Sequence, residues 1–82
     1  MARPGRKKRA ESRYAEQAQR LAARLRALRE QRGMTQEQLA ARAEISVATV
    51  RNIERVIVVE PSLFTVLAMA RVLGASIEDV TT

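Results

Sequence analysis

The chain has 82 residues and a formal net charge of +6, from 15 Lys and Arg against 9 Asp and Glu, and it contains no Cys and no His. That length leaves room for one small domain. Without Cys or His there are no disulfides, no zinc–thiolate sites and no general base suited to neutral pH, so no enzymatic activity, metal or cofactor is expected.

Most of the excess charge lies at the start. Arg3, Arg6, Lys7, Lys8, Arg9 and Arg13 stand against Glu11 alone, with Pro4 and Gly5 inside the run. Such a segment does not fold by itself, so residues 1–13 are expected to form a flexible basic arm ahead of a folded domain at 14–82. An arm of this kind binds polyanions through counterion release, which makes Arg3, Arg6, Lys7, Lys8 and Arg9 candidate contacts to a nucleic-acid backbone. A solubilising tail is the bland alternative. An anionic membrane surface fits less well, because no strongly apolar face adjoins the run. Residues 14–32 carry five Arg against two Glu, residues 33–55 balance, and residues 56–82 have Arg71 against Glu60, Glu78 and Asp79. No apolar run approaches the roughly 20 residues of a membrane span, and no apolar stretch follows the basic N-terminus, so a cytosolic location is expected.

From about Ala10 to Arg32 there is no Gly or Pro, and Tyr14, Ala18, Leu21, Leu25 and Leu28 recur at helical spacing. An amphipathic helix is predicted there, stopping at Gly33; a coiled coil is the weaker reading. Thr35 and Gln38 have capping-box spacing ahead of a short second helix whose buried side is Leu39, Ala40 and Ala43. Ile45 is the next apolar anchor. Ser46 suits the N-cap of a third helix over about 47–54, with Val50 and Ile53 pointing one way and Val47, Ala48, Arg51, Asn52 and Arg55 elsewhere. Pro61 and Ser62 open a fourth helix carrying Leu63, Val66, Leu67, Ala70 and Leu73, which Gly74 ends. Ser76 and Asp79 suggest a last short turn with Ile77 and Val80 inward.

The stretch from Thr35-Gln36-Glu37-Gln38-Leu39-Ala40 through Ser46-Val47-Ala48-Thr49-Val50-Arg51-Asn52-Ile53-Glu54 resembles the helix-turn-helix of the Cro and lambda-repressor type, the XRE family. Leu28-Arg29-Glu30 with Gly33-Met34 is similar to that family's first helix, and Pro61-Ser62-Leu63 through Leu73-Gly74 to its fourth. The resemblance spans residues 21–80. It implies an all-α, compact bundle of about five helices containing a helix-turn-helix, with a basic N-terminal arm and an extended first helix. The implied function is sequence-specific binding of double-stranded DNA by a transcriptional regulator in a bacterial or phage cytosol, with the third helix in the major groove.

Carried over by position, the base-facing residues are Val47, Ala48, Arg51 and Asn52. Arg51 suits guanine O6 and N7, Asn52 suits adenine N6 and N7, and Val47 or Ala48 suits a thymine methyl; helix initiation is the plainer role for the last two. Gln36 falls where the family's amide meets a phosphate, with Ser46, Thr49 and Arg55 as further phosphate donors. Arg29 and Glu54 match positions that pair inside the domain.

Two departures stand out. Glu44 replaces the usual Gly of the turn, so either it adopts a left-handed conformation or the turn is built differently. After the third helix, a usual Gly and polar loop give way to Val56-Ile57-Val58-Val59-Glu60. With Phe64, Ala68 and Val72 at i, i+4 and i+8 on the next helix, Val56, Ile57, Val58 and Val59 make a second apolar face. A larger core or packing under the helix extension would use it; the sharper expectation is a homodimer interface suited to a palindromic site. The competing function is a protein-interaction module, such as a DNA-binding antitoxin partner, with this face turned to another protein. Charge-driven, non-specific binding through the arm is a third.

Overall fold

The computed structural model describes residues 14–57 and 60–81, so the arm residues 1–13 and the loop residues Val58 and Val59 lie outside the described residues. The described chain is all-helical: α1 Ala15–Gln31, α2 Gln36–Ala43, α3 Val47–Glu54, α4 Leu63–Leu73 and α5 Ile77–Thr81. Each starts and stops for local reasons. Thr35 and Gln38 close a reciprocal capping box on α2, the Thr35 hydroxyl accepting from the Gln38 N–H at 3.0 Å and the Gln38 amide oxygen accepting from the Thr35 N–H at 2.9 Å. Ser46 and Ser62 cap α3 and α4 by accepting from the N–H groups of Thr49 and Thr65. Ser76 and Asp79 do the same reciprocally at the start of α5.

The four longer helices end in one way. A residue with positive φ sits at Gly33, Glu44, Val56 and Gly74. The N–H that follows each turns back to the last helical turn: Met34 to the Arg29 carbonyl, Ile45 to Ala40, Ile57 to Asn52 and Ala75 to Ala70, at 2.8–3.1 Å. These are left-handed helix closures, in which orphan carbonyls find a donor. Two use glycine, at no steric cost. Glu44 (φ 60°) and Val56 (φ 57°) do not, and a β-branched residue in that region is a strained position. The turn between α2 and α3 therefore keeps the left-handed geometry despite Glu44.

The core is aliphatic. Leu25, Leu39, Val50, Met69, Leu73 and Val80 are its largest fully buried side chains, with Leu21, Leu28, Ile45, Val47, Val72 and Ile77 packed around them. Helix α2 packs on α3 and α4, while α1 lies across α3, α4 and α5 and so holds both ends of the bundle together. Three expectations shift in detail. Ala22 is buried, so the inward stripe of α1 runs through Ala18, Ala22 and Leu25, with Leu21 and Leu28 at its edge. Tyr14, at the helix start, is 45% exposed. Leu63, expected inward, is 60% exposed because the inner face of α4 is set by Val66, Met69, Ala70 and Leu73.

Candidate nucleic-acid interface

The register of α3 follows from its two anchors. Val50 and Ile53 are buried, and Val47, expected on the base-facing side, instead leans half-buried onto the same core because it sits one helical turn before Val50. Ala48, Arg51, Asn52 and Arg55 therefore share the opposite side. Ala48 and Arg55 are exposed, and Arg51 and Asn52 are half-exposed. The Asn52 amide makes no hydrogen bond to another described residue, although its backbone carbonyl accepts from Ile57.

At the start of α3 the Ser46 and Thr49 hydroxyls lie 2.7 Å apart, and Ser46 Oγ also accepts from the Thr49 N–H. The two hydroxyls hold two hydrogens, and their mutual bond uses one. The second remains available for an acceptor such as a phosphate oxygen.

Behind α3 lies the polar anchor of the domain. Arg29 Nε and Nη2 form a two-bond fork with Glu54 Oε2 and Oε1 at 2.7 and 3.0 Å, and Nη1 donates to the Met34 carbonyl at 2.8 Å. Their side chains are only 11% and 4% exposed. The hydrogen bond to Glu54 is the main reason the Arg29 guanidinium is held above its ordinary pKa, against the opposing effect of burial. The inferred pair is thus present, and it is joined by Gln36, whose Nε2 donates to Glu54 Oε1 at 3.0 Å. One N–H and the carbonyl oxygen of the Gln36 amide remain. The network ties α1, α2 and α3 together and fixes Gln36 at the first position of α2.

Sequence reasoning missed Glu37. Its Oε2 accepts from Arg51 Nη2 at 3.1 Å across the gap between α2 and α3. An acid in the first turn of a helix is ordinary dipole placement, so its type carried no signal.

The second apolar face is only partly open. Phe64 is 78% exposed, Leu63 60% and Ile57 55%, whereas Val56, Ala68 and Val72 are half-buried and Val72 touches the core. Ala68 and Val72 line an open groove of about 440 Å³ shared with Arg42, Ala43, Glu44 and Arg71. Among the described residues no group of acids is placed to hold a metal ion, and no helix is long and apolar enough to cross a membrane.

Comparison with curated proteins and with solved structures gave no match. Residues 20–82 match the family described as helix-turn-helix domain, and that match is consistent with the Cro-type resemblance. With α2, α3 and their three-residue turn set on α1, α4 and α5, the chain belongs to the helix-turn-helix domain family, whose fold binds DNA.

Proposed function

We propose that the protein is a sequence-specific, DNA-binding transcriptional regulator that inserts α3 in the major groove and acts as a homodimer on a palindromic site. The observation that supports this most is the outward side of α3, where Ala48, Arg51, Asn52 and Arg55 stand together on a helix whose other side is anchored by Val50, Ile53 and Glu54. Such a helix presents a small, polar surface to a groove about 12 Å wide. Arg51 and Asn52 read bases, Ala48 supplies apolar contact, and Gln36, Ser46, Thr49 and Arg55 meet phosphates and set the register. The basic residues Arg3, Arg6, Lys7, Lys8 and Arg9 add sequence-independent affinity.

The exposed Ile57, Leu63 and Phe64 favour a protein–protein contact. A second copy is the partner that a twofold site requires, and a heterologous partner is the competing reading. Selection of bound duplexes from a random pool tests the whole proposal. A palindromic consensus with half-sites about 34 Å apart, or a multiple of that, is expected. Deleting residues 1–9 should weaken all sequences alike and flatten the salt dependence, while Arg51→Ala should relax preference at one base pair per half-site. If no consensus emerges, the proposal fails.

A further inference from the structure

Arg51 and Glu37 are both open to water, with side chains 41% and 64% exposed, yet they are joined across two helices by a single bond of 3.1 Å. An exposed pair of this kind adds little to folding. It also places a negative charge on the surface that, in the proposed docking, approaches phosphates. That arrangement works against general affinity, so its benefit has to lie in how Arg51 is used.

A guanidinium carries five N–H donors in a fixed plane, and Glu37 occupies one of them. The two-bond contact with guanine O6 and N7 needs only two more. Arg51 is therefore able to read guanine without leaving Glu37. A phosphate that Arg51 reaches only by turning away from Glu37 would exchange one charge-assisted bond for another, with little net gain. Without Glu37, the same long and mobile side chain would find phosphates on any duplex.

We infer that Glu37 is a specificity-determining positioning residue, whose carboxylate holds Arg51 for a guanine contact and withholds it from the phosphate backbone. This rests on the reading that α3 enters the major groove. Glu37 weakens binding to every sequence and weakens the wrong ones most.

The test titrates the full chain on its selected duplex and on duplexes with each base pair changed in turn. The proteins are wild type, Glu37→Gln, Glu37→Ala, Arg51→Ala and the Glu37→Gln/Arg51→Ala double variant. Arg51→Ala is expected to lose about 5- to 100-fold of discrimination at one base pair. Both Glu37 variants should bind altered duplexes about 2- to 5-fold more tightly and lose about 2- to 5-fold of discrimination at that same pair. Their salt dependence should steepen by up to about 0.9 in log–log slope, as Arg51 gains a phosphate. On the Arg51→Ala background the Glu37 change should no longer affect base preference. A purely structural Glu37 would move the melting temperature and leave preference untouched.

Unchanged discrimination in both Glu37 variants, with Arg51→Ala still damaging, overturns the inference and leaves the docking proposal standing. A Glu37 effect that survives on the Arg51→Ala background overturns it too, because the carboxylate would then read a base directly. If Arg51→Ala leaves preference intact, both the inference and the assignment of Arg51 fall.

Discussion

Truncating Glu54 is expected to be strongly destabilising although the residue is charged. Its carboxylate accepts three hydrogen bonds, two from Arg29 and one from Gln36, at a site where its side chain is 4% exposed and that of Arg29 is 11% exposed. Glu54→Ala leaves the guanidinium with the Met34 carbonyl as its remaining protein acceptor, and leaves the Gln36 amide without its anchor. Breaking a buried pair from one side costs about 3–5 kcal/mol, and the residual acceptor and partial exposure of Arg29 place this case near about 3 kcal/mol. A chain of 82 residues has about 4–12 kcal/mol of stability in all. The melting temperature should therefore fall by about 12–24 °C, at roughly 4–8 °C per kcal/mol. Circular dichroism against temperature and against urea measures it. Because the pair is buried, the loss should be nearly the same in dilute and in concentrated NaCl. Replacing both partners, as in Arg29→Met/Glu54→Leu, should recover most of the loss, since an apolar pair strands no charge. A loss below about 1 kcal/mol, or additivity between Arg29→Ala and Glu54→Ala, would refute the reasoning.

Glu44→Gly removes a left-handed strain at an exposed position and should raise stability by about 0.5–1 kcal/mol, after the extra chain entropy of glycine; a lower melting temperature would count against strain there. Val56→Gly should gain less, because a half-buried side chain goes with it. Asp79 is held below its ordinary value of 3.8, chiefly by the Ser76 N–H and then by the Ser76 hydroxyl. Its contribution is complete above that value and is lost as pH falls through the lower folded one, so Asp79→Asn should flatten the acid side of the melting-temperature profile. Phe64→Glu should shift sedimentation from dimer to monomer without changing the helical spectrum, and a wild-type chain that is already monomeric at tens of micromolar would remove the homodimer proposal.

The parts of this fold that are written locally are legible in the residues. Thr35, Ser46, Ser62 and Ser76 announce helix starts, and Gly33 and Gly74 announce stops, because a cap satisfies backbone groups a few positions away. The inward stripe of α1 also takes in Ala22, which its residue type does not single out among the five alanines of that helix although its spacing from Ala18 and Leu25 fits. Leu63 shows the opposite failure, an apolar residue in the first turn of α4 that stays 60% exposed. Of the candidate site, Ala48, Arg51, Asn52 and Arg55 follow from the period alone, whereas Val47, expected with them, leans onto the core. The pairing of Arg29 with Glu54 came only through family resemblance, and those of Gln36 with Glu54 and Arg51 with Glu37 came from neither source. They join residues 14 to 25 positions apart, and periodicity holds no information about which polar groups face each other across two helices.

The network at Glu54 grips α3 at its last residue, while the first turn, which the proposed docking sets in the groove, lies at the other end. Eight residues at 1.5 Å each make the helix about 12 Å long. A rotation of about 2.5° at the gripped end then displaces the first turn by roughly 0.5 Å, which is about the tolerance of a working contact. The fork between Arg29 and Glu54 thus acts as the fulcrum of a short lever. The aim of side chains that never touch it depends on how little play it allows.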